Sequence, residues 1–209
     1  LVDSKHHIMS NEDTDVSEFI QHAFDAMGIH VIPSSRFESH ELLENSVRAV
    51  LSTGEIETEM ILLAVGRIAC TNSLDLEAAG VVTDERGFIQ VGSSCQTNVA
   101  HIYAVGDVGT LNVPSDLSLV HVAEAEGRSA AADILGTEYA QGLDHIPYII
   151  FTVPMLAGAG VTEAYARERY GNVRIGKYPY ARNHRAHAIA PPIGFVKLIV
   201  GPPGDDRIL

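Results

Sequence analysis

The sequence predicts an α/β chain that passes into an α+β region near its end. Three observations carry that expectation. Two short apolar runs, Met60–Val65 (MILLAV) before Gly66 and Ile102–Val105 (IYAV) before Gly106, have the length and flanks of buried strands. Two stretches, Asp13–Met27 and the one following Ser118, place apolar or small residues at helical spacing. After the polar link TEYAQGLDH the pattern changes to a strand, a helix and two further strands.

Each element has a local reason. In the first helix Val16, Phe19, Ile20, Ala23, Phe24 and Met27 recur at i, i+3, i+4 spacing. Acidic residues crowd its start, where the helix dipole favours them, and Gly28 stops it. Ile29–Ile32 reads as a short strand. Alternation around Phe37, over Ser46–Leu51 and over Glu55–Thr58, with a Thr53-Gly54 turn, predicts an antiparallel meander. Leu74–Ala79 is a helical turn and Phe88–Val91 a strand; the helix after Ser118 runs to Leu135, where Gly136 ends it. In the last region YIIFTV is strand-like, TEAYARERYG helical, and VRIGKYPY and GFVKLIV are strands.

Composition sets limits on function. With 209 residues and 46% apolar content the chain can bury a real core. A net charge of −13 with three Lys argues against nucleic-acid or anionic-membrane partners, which need basic surface. No apolar run is long enough to cross a bilayer and no signal-peptide pattern opens the chain, so a soluble, cytoplasmic protein is expected. Cys70 and Cys95 have neither CxxC nor metal spacing and are expected as free thiols; the scattered histidines make no metal site. The chain opens in what reads as the tail of a strand (Leu1-Val2-Asp3). It closes on a strand, a PPGDD turn and the first residues of a returning strand, so a fragment of a longer protein is expected.

The stretch from Ala100 to Gly136 is the most informative. A strand ending in Gly106-Asp107 puts a close backbone approach and a carboxylate just beyond a sheet edge, where open α/β sheets bind ligands. The helix that follows carries small residues (Ala123, Ala125, Gly127, Ala130, Ala131, Ala132) that let something large pack against it. This order of strand, Gly-Asp, loop and Ala-rich helix resembles the second flavin-binding motif of the pyridine nucleotide–disulfide oxidoreductases. The resemblance extends over the whole chain. LVDSKHHIMSNEDTDVSEFIQHAFDAMGIHVI is similar to the second half of that family's NAD(P) domain, and AVGRIACTNSLDLEAAGVVTDERGFIQVGSSCQTNVAHIYAVGDV to the crossing back into its FAD domain. IPYIIFTVPMLAGAGVTEAYA is similar to the entry of its dimerisation domain. The branches it resembles are lipoamide dehydrogenase, soluble transhydrogenase and mercuric reductase.

The resemblance implies a partial fold of two dinucleotide-binding domains followed by the start of an α+β dimerisation domain. The expected divisions are residues 1–66, 67–143 and 144–209. It implies FAD and NAD as cofactors and a homodimer. In the family the Asp at position 107 bonds the ribityl chain of FAD, and Leu119, Val120 and His121 lie against the flavin pyrimidine end. Asp3, at the end of a strand, is placed to accept the ribose hydroxyls of NAD and repel a 2′-phosphate; an exposed strand-end Asp is the alternative, and Lys5 nearby weakens the case. Gly66 and Arg67 sit either where the family's chain passes the cofactors or at a tight strand exit. His121 is not expected to be a catalytic base, because the family's acid–base His belongs to a His-Pro segment that this sequence does not contain. Ala157–Ala164 (AGAGVTEA) imitates GxGxxG with Glu163 in place of the third Gly, and reads as the turn before a helix capped by Thr162. Met155 departs from the polar residue usual after Pro154.

The implied activity is that of a fragment of an FAD-dependent pyridine nucleotide oxidoreductase, moving electrons between NAD(H) and a disulfide or other acceptor. The sequence contains no glycine fingerprint and no close-spaced cysteine pair, so the fragment alone is expected to be inactive and no catalytic residue is assigned. Two alternatives stand beside it: a flavin transhydrogenase without a redox disulfide, and a non-catalytic binding or assembly unit.

Overall fold

The computed structural model describes residues 1–110, 118–137, 139, 146–189 and 191–209. Two compact units are present: residues 1–64 with 150–156 and 161–209, and residues 65–149 with 157–160.

In the first unit Leu1–Asp3 runs parallel to His30–Ile32. Ile32 N–H donates to Leu1 O at 2.8 Å and Asp3 N–H to Ile32 O at 3.1 Å. Between them lies helix α1 (Thr14–Ala26), so the segment is a βαβ crossover whose strand pairing has shrunk to a single bridge, Val2 to Ile32. The middle of the predicted stripe of α1 is buried, Ile20 and Phe24 packing with Ile8 and Val31, while Met27 at its end is 48% exposed and Ser17, outside the stripe, is buried. Gly28, at φ +80°, ends the helix as expected. The meander follows as β1 (Phe37–Leu42), β2 (Val47–Leu51) and β3 (Gly54–Thr58), antiparallel in that order.

The second unit holds β4 (Ile89–Gln90) paired in parallel with β5 (Gly109–Thr110), and helix α2 (Val120–Ile134). Its core gathers Val81, Ile89 and Ala104, with Leu76, Val91, Val99, Ile102 and Val108 packed on them. Asn98 ties a turn here, accepting from Val82 N–H at 2.9 Å and donating to Gly80 O at 2.7 Å. Short strands β6 (Tyr148–Ile150) and β7 (Leu156–Gly158) follow. At Gly158 a Cβ would stand 2.5 Å from the end of the Tyr148 ring, so any larger residue there requires that ring to move. The chain then continues into the first unit as helix α3 (Glu163–Tyr170), β8 (Arg174–Pro179), α4 (His184–Ile189) and β9 (Phe195–Val200), with β8 and β9 antiparallel. Thr162 caps α3 as expected, its hydroxyl accepting the Tyr165 N–H at 3.3 Å. Val200 bridges Ile208, the returning strand that follows the PPGDD turn.

Two expected strands are corrected. Met60–Val65 forms no strand and pairs with no described strand, and Leu62 is 89% exposed. Ile102–Val105 forms no regular strand either; it has one antiparallel bridge, Gln96 to Tyr103. An apolar run becomes a regular strand only when neighbouring strands satisfy its backbone; no described strand pairs with the first run, and the second has only residues 95–97 beside it, through Thr97 N–H to Ile102 O and Ala104 N–H to Cys95 O, both at 3.0 Å. The polar link at 137–145, with the expected division at Asp144, lies largely outside the described residues.

Within the first unit α1, α3 and β9 converge on Lys197, whose side chain is only 10% exposed. Its ammonium donates to Asp13 at 3.0 Å, Asp15 at 2.9 Å and Glu163 at 2.8 Å. Lys177 adds a bond to Asp15 at 3.0 Å and Arg167 one to Glu163 at 2.7 Å. Burial opposes the charge on Lys197, yet the bonds from Glu163, Asp15 and Asp13 outweigh it and raise its pKa. Glu163 is lowered chiefly by its bond from Lys197; Asp15 is lowered although burial pushes it up, because Lys197 and Lys177 prevail. Carboxylates held low in the native state contribute stability above the ordinary carboxylate range and lose it as pH falls through their native pKa. Lys197→Met leaves three carboxylates without their shared partner and is expected to cost roughly 3–5 kcal/mol at neutral pH. Urea midpoints at pH 7 and pH 4 check this: the variant's deficit narrows on acidification, and a deficit that widens refutes the account.

Candidate functional site

The second unit brings together four of the sequence-predicted residues that lie in it. Gly106 has φ +77°, the left-handed region glycine adopts freely, and a Cβ there would touch the Ala123 Cβ at 3.5 Å. The small residue at 123 and the glycine at 106 therefore let α2 lie close against the Gly-Asp turn. Asp107 points outward from it, 40% exposed, and is paired through Oδ2 with the Arg67 guanidinium. Gly66, at φ +113°, lies immediately before that arginine. The sequence named Gly66, Arg67, Gly106 and Asp107 separately; their meeting through an ion pair is new. The pair is largely exposed, so its Coulomb energy is small, but it fixes which carboxylate oxygen faces the arginine.

Leu119, Val120 and His121 form the start of α2. Leu119 is the N-cap, with extended backbone, and no side chain caps the helix and no acidic residue stands in its first turn. Val122 and Ala123 N–H already donate to Leu119 O, both at 3.1 Å, so it is the Val120 and His121 amides, with the positive end of the helix dipole, that can serve an outside acceptor. His121 Nε2 lies 2.6 Å from Pro147 O. A carbonyl can only accept, so Nε2 carries the proton and the ring is tethered to Pro147.

Sequence reasoning missed Glu126. It is 7% exposed, and its Oε2 accepts the Gly106 N–H. Burial pushes its carboxyl above the ordinary range; the Gly106 bond pulls it back in part and the charge of Asp107 raises it further. Val122, Glu126, Ser129 and Ala130 are all buried, spaced i, i+4, i+7 and i+8 on one face of the helix, and with Glu and Ser on that face no apolar stripe in the sequence marked it. Tyr103 is anchored to the far end of the same helix by a 2.6 Å bond from its hydroxyl to Asp133, a bond that also raises its pKa.

Asp3 belongs to the first unit. It follows the bridge at Val2, at the carboxyl end of its strand, where a dinucleotide fold places a ribose-binding acid. Its Oδ1 accepts the Lys5 N–H at 2.9 Å. Lys5 thus touches Asp3 through its backbone. Among the described residues no group of His, Cys, Asp and Glu is placed to hold a metal ion, and no helix is long and apolar enough to cross a membrane.

Both cysteines are free thiols, Cys70 exposed and Cys95 buried. Burial, with the charge of Glu126 added, pushes the Cys95 thiol up to about 12. Cys95 is therefore expected to resist a thiol reagent at pH 8 while Cys70 reacts at once. A dithionitrobenzoate titration that releases both thiols equally fast from the folded chain would count against this packing.

The comparisons with known proteins follow the same outline. The model of the pyridine nucleotide-disulphide oxidoreductase family matches residues 1–127, and that of the family's dimerisation domain residues 146–209. The chain is 36% identical over 197 residues to a dihydrolipoyl dehydrogenase of Mycobacterium tuberculosis, covering 91% of this chain and 41% of that one. It is 35% identical over 205 residues to the Trypanosoma brucei brucei enzyme of the same name, covering 94% and 42%. Among solved structures it is similar to the Cu(II) complex of the HOCl-induced flavoprotein disulfide reductase RclA from Escherichia coli. That match has TM-score 0.83 and 26% identity, over 100% of this chain and 47% of that one. The chain thus spans less than half the length of these relatives. It belongs to the pyridine nucleotide-disulphide oxidoreductase family.

Proposed function

We propose that the chain is the C-terminal part of an FAD-dependent, NAD(H)-using oxidoreductase of the dihydrolipoyl dehydrogenase kind. The observation that carries this reading is the placement of Gly106, Asp107 and the uncapped start of α2 in one unit. The chemistry of that donor and acceptor set fits a flavin. Asp107, with Oδ2 turned to Arg67, keeps Oδ1 for a ribityl hydroxyl. At the start of α2, with Leu119 as its N-cap, the Val120 and His121 amides suit a carbonyl or enolate oxygen of the pyrimidine ring. A bound flavin would supply the redox chemistry, hydride acceptance from a reduced nicotinamide and electron transfer to a disulfide or other acceptor. The protein's own part here is to hold and orient: Gly106 lets the backbone come close, Arg67 fixes the rotamer of Asp107, and His121 pins the helix start to Pro147. Gly66 and Arg67 are assigned to the cofactor side of the chain on the strength of that ion pair. Asp3 is assigned to the NAD ribose.

The similarity of residues 146–209 to a dimerisation domain supports a homodimer built through that region. The names of the relatives favour a disulfide-linked acceptor over the transhydrogenase alternative.

The test uses the full-length protein. Asp107→Ala removes a charged acceptor and is expected to weaken flavin binding by roughly 1.5–3 kcal/mol, read as lost 450-nm absorbance after dialysis. Equal flavin content in variant and wild type sinks the assignment. A second expectation concerns Asp3: NADH outperforms NADPH in kcat/KM, and Asp3→Asn narrows the ratio. NADPH ahead in the wild type overturns the role given to Asp3, and a particle sedimenting strictly as a monomer overturns the homodimer.

A further inference from the structure

A buried carboxylate inside an alanine-rich helix is costly to desolvate and needs a reason to be there. Glu126 has one: it faces the Gly-Asp turn and accepts the Gly106 N–H, a backbone donor 20 residues earlier in the chain. Gly106 is also the residue whose left-handed conformation turns Asp107 outward. The same helix meets that turn through Ala123, at 3.5 Å from where a Gly106 Cβ would stand. Helix α2 therefore grips the turn twice, once by close contact and once by a charged hydrogen bond. Asp107 is held on its other side by Arg67.

We infer that Glu126 is the positioning residue of the flavin site: by holding the Gly106 amide it fixes the direction in which Asp107 presents its carboxylate to the polyhydroxyl chain of the cofactor. The inference rests on the flavin reading above. Glu126 does not touch the cofactor in this account; it acts through Gly106 and Asp107. The cost of its burial explains why no apolar residue does the same work, since an apolar side chain would leave the Gly106 N–H without an acceptor. The charged and titratable groups around it are Asp107 and Cys95, both of which sense its charge or lend it theirs.

The test is a double-mutant cycle on FAD affinity in the full-length apoprotein, followed by quenching of flavin fluorescence. Glu126→Met keeps the volume and helix preference but deletes the acceptor, and is expected to weaken FAD about tenfold or more. Glu126→Gln keeps an acceptor oxygen and is expected to stay within about threefold of wild type. Asp107→Asn weakens FAD by itself. In the Asp107→Asn background, Glu126→Met is expected to add little, because it acts through the residue already altered. Full additivity of the two substitutions, or a tenfold loss in Glu126→Gln, overturns the role of Glu126 while leaving the flavin reading intact. No effect of Asp107→Asn overturns the flavin reading and this inference with it. If Glu126→Met does not fold, Glu126→Gln decides alone: retention supports the inference and a tenfold loss refutes it.

Discussion

The first unit depends on one ammonium group. Lys197 sits on β9, a long way along the chain from α1, and 182 positions separate it from Asp15. The starts of α1 and α3 both carry carboxylates, as their dipoles favour, and bringing two such ends together would set negative charge against negative charge. Lys197 makes the meeting possible. Asp13 completes it by accepting the Glu163 N–H at 2.8 Å, so a residue of one helix caps the other. With Lys177 and Arg167 on the rim, three cations meet three carboxylates, and the cluster carries no net charge. A chain with a strongly negative total has thus placed two of its three lysines where neutralisation decides packing.

The two units solve a similar problem in different ways. In the first, a buried cation gathers carboxylates; in the second, a buried carboxylate gathers a backbone amide. The second arrangement is the one suited to binding. It leaves the neighbouring Asp107 half exposed and aimed, with its partner Arg67 still more exposed. Rigid support beneath an accessible polar group is what a recognition site requires, because the group then loses little freedom when its ligand arrives.

Much of this was legible in the sequence where the determinants are local. The stripe of α1, the meander with its Thr53-Gly54 turn, the Thr162 cap and the stop at Gly28 all lie within a few residues of what they determine, and all are present. Strands were harder. MILLAV and IYAV have strand composition, but a strand is a relation between segments, and composition alone does not supply the partner. Long-range polar contacts were not legible at all. Nothing near Lys197 names Asp13 or Glu163, and Arg67 lies 40 residues from Asp107. Glu126 was passed over because the sequence reading followed only the small residues of its helix; the burial of Val122, Ser129 and Ala130 shows which side it is on.

The run from Met60 to Ile68 turns its apolar side chains outward. Met60, Leu62, Leu63, Val65 and Ile68 all stand open to solvent, and no strand among the described residues pairs with this run. Apolar side chains left open in this way mark a stretch that other protein covers, so its composition records a neighbour rather than a solvent face.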